Sequence, residues 1–403
     1  MVNRPDVTII GGGIAGPALA LFLHKAGIRA RVFEARPRGT APGGGLQIAP
    51  NGMKVLAQIG LDEALAQHGA VSIGIRFLNE RGALLSEVEH QPPSRYGQPA
   101  VNVRRATVHE ILLDELRRRG IETHFGKRLS DITNVDRSPV CVFDNGTAVE
   151  SSIVLGADGI RSQVRGIVLP GGAPPAYTGL VTMGGFVDAA ALDPASRPCS
   201  TMLTMIFGRY GFFGYGYADK SSIMWWNAIP GPEIPSEDFA ALPDGDIRTR
   251  LLQIHGDWCA PVETIIRRSN PSMYIGSIHD VPSLPTWHRG RVAIIGDAAH
   301  AVSPHSGQGA SLALEDAMSL ANLLGGRATT PEAAFAEFER SRRARVEKIV
   351  DYGRRSAHQK RELGTLGAWL RDRFVSLLLP RLLRKSSDWM YDHTIRWTQA
   401  GSP

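Results

Sequence analysis

Three clusters in this 403-residue chain combine residue types and spacings that could do chemistry. In the first, Gly11, Gly13 and Gly16 follow a short β-branched run, Val7–Ile10, and precede a helical stretch from Pro17 to Lys25 that Gly27 closes. Between a strand and a helix, this G-x-G-x-x-G spacing has a mechanism. The first glycine permits the tight turn, the second lets the backbone approach a pyrophosphate, and the third lets the helix pack closely. The helix start, with Ile14 and Ala15, offers free amides and a partial positive charge to an anion. Glu34 ends the next strand, eighteen residues after Gly16. A carboxylate there accepts hydrogen bonds from ribose hydroxyls and repels a 2′-phosphate, which points to FAD or NAD rather than NADP in this site.

The second cluster is Asp158-Gly159 at the end of an apolar strand, leading into Ile160-Arg161-Ser162. The third is Gly296-Asp297 at another strand end, continuing through Pro304-His305-Ser306-Gly307-Gln308-Gly309 into a helix. An aspartate at a strand end can bind polyol hydroxyls, and a glycine-rich helix start can approach a planar ring and an anion. Taken singly, each junction reads more simply as a plain strand-end turn.

The elements that must position these clusters read as an α/β fold. Strand, glycine turn, helix and strand within forty residues make a βαβ unit. Residues 105–119 repeat apolar positions at helical spacing, with Gly120 as a stop. From about 171 to 285, proline, glycine and aromatic residues become dense and suggest antiparallel strands; Val292 to Ile295 then restores a buried strand. The expected organisation is a Rossmann-like, discontinuous FAD-binding domain (1–75, 100–170 and 286–350). It is interleaved with an antiparallel-sheet substrate domain (76–99 and 171–285) and followed by a C-terminal helical segment (351–403). With 43% hydrophobic and 21% charged residues, disordered, collagen-like and coiled-coil classes are excluded. Three scattered cysteines, Cys141, Cys199 and Cys259, form no disulfide framework or metal cluster and read as reduced cytosolic thiols, so no metal is expected. No secretory h-region or 18-residue apolar stretch occurs, and a cytoplasmic monomer or homodimer is the expectation.

Together the three clusters resemble the class A FAD-dependent monooxygenases, the aromatic-hydroxylase family of p-hydroxybenzoate hydroxylase, over roughly residues 5 to 350. The resemblance implies that the first motif holds the ADP half of FAD and that Glu34 binds the adenosine ribose. Residues 156–162 look like the shared FAD/NAD(P)H motif, implicating Asp158 and Arg161 in transient NADPH or NADH binding and Asp158 in FAD binding as well. The stretch from Gly296 to Gly309 looks like the motif for the ribityl chain and pyrimidine edge, with Asp297, Pro304, Gly307, Gln308 and Gly309 at the cofactor. It further implies that Arg105 (or its neighbour Arg104) contacts FAD, that Leu129 contacts adenine through its backbone, and that Gly45 and Leu46 lie beside the isoalloxazine ring. In that family NAD(P)H reduces FAD, O2 adds to give a flavin C4a-hydroperoxide, and oxygen passes to an electron-rich aromatic or polycyclic small molecule.

The substrate side is read from residues alone. Phe213, Tyr215 and Tyr217 alternate along one strand and so share a face, with Trp226 expected on the next strand. They could wall a pocket for a planar substrate or be a sheet face packed on helices. His305 could bond a substrate phenol or the flavin, and Arg209 could pair with an anionic substrate; an exposed loop histidine and a solvated arginine are the plainer readings. Flavin-dependent halogenases share the fold and carry W-x-W-x-I-P. Here Trp225 and Ile229-Pro230 fit, but Asn227 stands at the second tryptophan, leaving halogenation, like epoxidation or flavin binding without oxygenase activity, an alternative.

The formal charge is +6. Between Arg340 and Lys385 there are fourteen basic and four acidic residues, leaving thirty-one and thirty-five elsewhere. A mildly acidic body with one basic tail gives no support to a nucleic-acid partner. The tail also spaces Leu363, Leu366, Leu370, Phe374 and Leu377 helically. Such a helix can lie on an anionic membrane or pack its stripe over the FAD domain, and packing is the simpler expectation.

Overall fold

The computed structural model describes residues 6–38, 43–235, 243–270, 274–326, 330–358, 363–379 and 388–398. From the N-terminus, β1 (Val7–Ile10), α1 (Ala15–Lys25) and β2 (Ala30–Phe33) form the first βαβ turn. β3 (Gly45–Ile48) leads into α2 (Pro50–Ala57), then β4 (Ala70–Ser72), β5 (Gly74–Asn79) and β6 (Leu84–Glu89). β7 (Ala100–Arg104) runs directly into α3 (Arg105–Arg118), followed by β8 (Thr123–His124), β9 (Ile153–Gly156) and α4 (Gln163–Val168). The middle of the chain is β10 (Ala176–Asp188), β11 (Met202–Phe207), β12 (Phe212–Tyr217), β13 (Ser222–Pro230), α5 (Asp244–His255), α6 (Val262–Arg268) and β14 (Tyr274–Asp280). β15 (His288–Arg289), β16 (Val292–Ile294), α7 (Asp297–His300), α8 (Gly309–Gly325), α9 (Pro331–His358) and α10 (Thr365–Leu377) complete the elements used below.

The glycine clusters sit on one sheet of order β15-β16-β9-β1-β2-β8, in which β16, β9, β1, β2 and β8 are mutually parallel. β1 and β9 are buried along their whole length, as central parallel strands covered on both faces must be. α1 is apolar nearly all round and is buried between this sheet and α8. All three motifs therefore end at the carboxyl edge of adjacent strands, where open α/β sheets bind ligands.

The second sheet has seven strands, β14-β10-β13-β12-β11-β5-β6, antiparallel except where β11 meets β5. Its two faces bury different cores. On one, Val181, Met183, Ile206, Phe213 and Trp225 pack against Leu251 and Ile265 of α5 and α6. On the other, Phe186, Leu203, Phe212, Met224 and Ala228 cluster with Val375 of α10. A small sheet, β3-β7-β4, lies between the two large ones in the chain path.

α9 runs unbroken from Pro331 to His358, through the boundary at 350 that the sequence suggested. Residues 388–398 return to the first sheet's layer: Lys54 pairs with Asp392 at 3.0 Å and Trp397 packs on Phe22 at 5.7 Å. Among the described residues, no helix is long and apolar enough to cross a membrane.

Candidate active site

Gly11 adopts φ +112°, and a Cβ there would lie 2.3 Å from the Ala157 carbonyl oxygen. A Cβ on Gly16 would meet the Gly11 oxygen at 1.9 Å, so this glycine sets how closely α1 follows the strand. Gly13 differs from both: a Cβ there meets nothing within 4 Å, leaving its side of the loop open for a ligand to approach the backbone. α1 starts at Ile14 and Ala15 without any capping side chain, so its first amides remain available to an anion. Glu34 accepts hydrogen bonds from the Gly12 amide at 2.7 Å and the Arg36 amide at 2.8 Å, which fixes its carboxylate against the glycine loop. The Lys127 amide donates to the Glu34 carbonyl at 2.8 Å, so the chain leading to buried Leu129 passes the same strand end.

The two adjacent arginines separate cleanly. Arg104 donates to Asp219 at 3.3 Å and to Ser222 at 2.8 Å, and its guanidinium lies 3.8 Å from the Phe186 ring centre, latching β7 to the seven-stranded sheet. Arg105 is exposed at the start of α3, against Gly43 of the loop before β3. His109, one turn further along α3, has Nε2 2.7 Å from the Gly12 carbonyl oxygen and so hydrogen-bonds it. No motif points to His109; its i+4 spacing from Arg105 was the available signal.

Asp158 departs from expectation. It accepts hydrogen bonds from Ser162 Oγ at 2.5 Å and from the Gln163 and Val164 amides at 2.8 and 3.1 Å. Rather than facing a cofactor with free oxygens, its carboxylate caps α4, and burial raises its pKa. Buried Arg165, also outside the motif reading, donates to the Ile160 carbonyl at 2.6 Å and the Ala298 carbonyl at 3.0 Å, tying the second cluster to the third. Arg161 is exposed on the same loop.

In the third cluster, Asp297 Oδ1 lies 4.0 Å from where a Gly309 Cβ would stand, so the carboxylate sits at the start of α8. No side chain caps α8, and a Cβ on Gly307 would meet nothing within 4 Å. Pro304 is exposed and His305 half-buried in the single 3-10 turn that precedes it. Gln308 is fully buried; its Oε1 accepts from Asn51 at 3.0 Å, and among the described residues its Nε2 has no partner. Beneath this loop lies a buried ion cluster. Asp316 accepts from the Gly296 amide at 2.9 Å and from Arg342 at 2.9 Å, with His300 Nε2 at 2.5 Å. Glu315 accepts from Asn51 at 2.7 Å and is gripped twice by Arg345, at 2.8 and 2.9 Å. Burial would push both carboxyls up, but Arg342 and Arg345 hold Glu315, and His300 and Arg342 hold Asp316, at about 2.

The substrate reading is corrected by the sheet's two faces. Phe213, Tyr215 and Tyr217 do share a face, but that face packs on α5 and α6: Phe213 stacks on Trp225 at 5.4 Å and is fully buried. The opposite face carries Trp226 with Phe212 and Met224, and it abuts the loop at Gly44 and Gly45. A Cβ on Gly45 would come 2.2 Å from Met224 Sδ, and one on Gly44 would come 2.0 Å from the Tyr274 ring. Leu46 follows, half-buried, on β3. Arg209 lies in the hairpin between β11 and β12, its amide on Glu80 at 2.7 Å. β12 separates that hairpin from the one holding Asp219 by six residues, roughly 17 Å, so Arg209 is not brought to the Gly43–Leu46 loop.

The open face at Gly13, two uncapped helix starts, exposed Arg105 and the Gly45 contact with an apolar sheet face fit a dinucleotide whose flavin end lies between the two sheets. Comparison with known proteins supports FAD as that dinucleotide. Residues 4–352 match the family model described as FAD binding domain. The chain is 32% identical over 364 residues to 3-amino-4-hydroxybenzoate 2-monooxygenase PtmB3 of Streptomyces platensis, covering 89% of both chains. It is 31% identical over 421 residues to a salicylate hydroxylase of Pseudomonas putida, covering 96% of this chain and 92% of that one. Klebsiella pneumoniae HpxO, solved with FAD and uric acid, shares the fold at TM-score 0.85 and 24% identity, covering 95% and 96% of the two chains. The chain therefore belongs to the FAD-binding family of aromatic-hydroxylase-type flavin monooxygenases, and it is an FAD-dependent oxidoreductase.

Proposed function

We propose that the protein uses NAD(P)H and O2 to hydroxylate an aromatic or polycyclic small molecule. The observation that carries this reading is the seating of the Gly43–Leu46 loop on the sheet face formed by Phe186, Phe212, Met224 and Trp226. An apolar, aromatic wall there suits a planar substrate. The relatives named for action on 3-amino-4-hydroxybenzoate and salicylate support an aromatic substrate.

Bound FAD supplies the electron transfer and oxygen activation. The chain's own residues then have limited tasks. The α1 start, with Glu34 and Arg105, holds the adenosine and pyrophosphate, while Asp297 and the α8 start hold the ribityl chain. The positive end of α8 also favours negative charge at the pyrimidine edge. Arg161, exposed on the loop after β9, is assigned to a nicotinamide nucleotide that binds transiently. His305, half-buried in the turn before α8, is assigned a hydrogen bond to a substrate phenol or to the flavin.

Epoxidation and halogenation are the other outcomes on this fold. Against halogenation stands Asn227: it is fully buried on the helix-packed face, accepting from the Met183 amide at 2.7 Å. The test is a substrate panel scored for stimulated NAD(P)H consumption, with mass spectrometry of products. Addition of one oxygen to a ring supports the proposal. Halogen incorporation, or FAD binding with no substrate-stimulated oxidation across the panel, would count against it.

A further inference from the structure

Exposed apolar surface among the described residues is concentrated in one place. Among the described residues, nine large apolar side chains are exposed; Leu366, Trp369, Leu370, Phe374 and Leu377 lie on α10, and Leu378 caps it. Two more adjoin that helix. Leu84 opens β6, on which α10 packs, and Tyr210 lies in the hairpin whose Phe207 and Gly208 carbonyls accept from Arg371. Scattered exposed hydrophobics need no explanation, but a contiguous patch of this kind marks an interaction surface.

The helix is held to the protein by its other side. Val375 is buried in the core that contains Phe186, Phe212 and Met224, and Asp372 pairs with Arg371 at 2.8 Å and accepts from Asn79 at 3.4 Å. Residues 366, 370, 374 and 377 recur every three to four positions, so they form one stripe facing away from that anchor. The stripe is open along its length, from 37% exposed at Phe374 to 70% at Leu366. This reverses the expectation that the apolar stripe packs over the FAD domain.

We propose that α10 is a membrane-docking helix that lays this stripe in the interface of an anionic lipid bilayer. Charge selects the occupant. Arg373 is exposed on the same helix, its guanidinium 5.5 Å from the Trp369 ring centre, and between residues 360 and 385 the chain carries seven basic and two acidic residues. A second copy of the chain would bring the same positive charge against itself. An anionic headgroup layer complements it, and an apolar stripe with an exposed arginine and tryptophan beside it is the composition that binds in the plane of a bilayer. Thirteen residues give a helix of about 20 Å, suited to lying on a membrane and too short to cross one. Because Val375 joins the same core as Met224, docking brings the proposed substrate face close to the bilayer, from which an apolar substrate can enter. The docking does not depend on the oxygenase reading.

Flotation of the full-length, FAD-loaded protein tests this. With vesicles of phosphatidylcholine containing about a quarter phosphatidylglycerol, the protein floats at low salt; with phosphatidylcholine alone, or at high salt, the floated fraction falls about tenfold. Leu370→Glu combined with Phe374→Glu abolishes flotation, with flavin content and far-UV circular dichroism unchanged. Leu366→Glu, at the most exposed position, serves as an independent variant should the double substitution fold poorly. Equal flotation on neutral and anionic vesicles, or full flotation by Leu366→Glu and the double variant, overturns the proposal. So does a concentration-dependent dimer that dissociates on Leu366→Glu in a protein that never floats, since that assigns the face to a second copy.

Discussion

Arg104 and Arg105 carry the same charge on consecutive positions, yet the turn from strand to helix sends them to different partners. Arg104 is spent on Asp219, Ser222 and Phe186; Arg105 is left open beside the loop that precedes β3. Charge-assisted hydrogen bonds are worth about 1.5–3 kcal/mol. Arg105→Ala should therefore weaken FAD binding by roughly ten- to a hundredfold in a flavin-fluorescence titration, whereas Arg104→Ala should leave FAD affinity nearly unchanged and lower the melting temperature. The reverse pattern would reassign the two. The glycines divide in the same way. Gly13→Val should preserve the apo-protein's melting temperature while reducing FAD retention, because its side chain enters open space. Gly16→Val should instead destabilise the fold itself, since its Cβ would collide with the Gly11 carbonyl.

At the level of elements, β12 shows how far alternation carries. Its sequence, Phe-Phe-Gly-Tyr-Gly-Tyr, has aromatic side chains on both faces, and period two says which residues share a face without saying which face meets the flavin. The decision comes from long-range pairing. Gly214 and Gly216, opposite Trp226 and Met224, leave room on the site face, while Tyr215 and Phe213 lie opposite Trp225 and Asn227 over α5. Phe213→Ala should accordingly cost about 3–5 kcal/mol of stability, read by denaturant unfolding. Trp226→Ala should act mainly on substrate KM, and equal effects on stability would refute the assignment of faces. The glycine clusters, by contrast, were legible because each is local: strand, turn and helix start lie within a dozen residues. The capping role of Asp158 was not legible, because a carboxylate at a strand end looks the same in sequence whether it faces a ligand or caps the following helix; Ser162 and the first amides of α4 show the cap. The partners of α8 were out of reach for another reason. Arg342 and Arg345 come from α9, some thirty residues away, and only packing shows that they neutralise Asp316 and Glu315. Removing one charge from such a buried cluster costs about 3–5 kcal/mol. Arg342→Met should thus lower stability by that order and, through Asp316 and the Gly296 amide, also weaken FAD retention.

Across the whole molecule, the first part of the basic tail, on α9, is largely committed to internal ion pairs. Arg342 and Arg345 serve the buried acids, Arg343 pairs with Glu339 and Glu347, and Arg354 pairs with Asp280. The pI therefore overstates the cationic surface. Acid stability then depends on groups buried without charge. Burial pushes His90 down to about 4, partly opposed by its bond to the Val88 backbone, and pushes His255 down to about 3. His255 is neutral for a visible reason: Asn227 uses its Oδ1 to accept from Met183, so its Nδ2 donates to His255 Nε2 at 3.1 Å. In the unfolded chain both histidines titrate near 6.5. Below that pH the unfolded state binds protons that the folded state refuses, so stability falls as pH falls through the window from about 6.5 towards 4 and 3. Glu315 and Asp316, held at about 2, begin to lose their contribution only below about pH 4.5, the ordinary carboxylate range. Between pH 8 and 5 the two histidines should together cost about 4 kcal/mol, about 2 each. Denaturant unfolding at the two pH values measures this directly. His90→Gln with His255→Gln should remove most of the difference, and a wild-type protein equally stable at pH 8 and pH 5 would show that neither imidazole is held neutral.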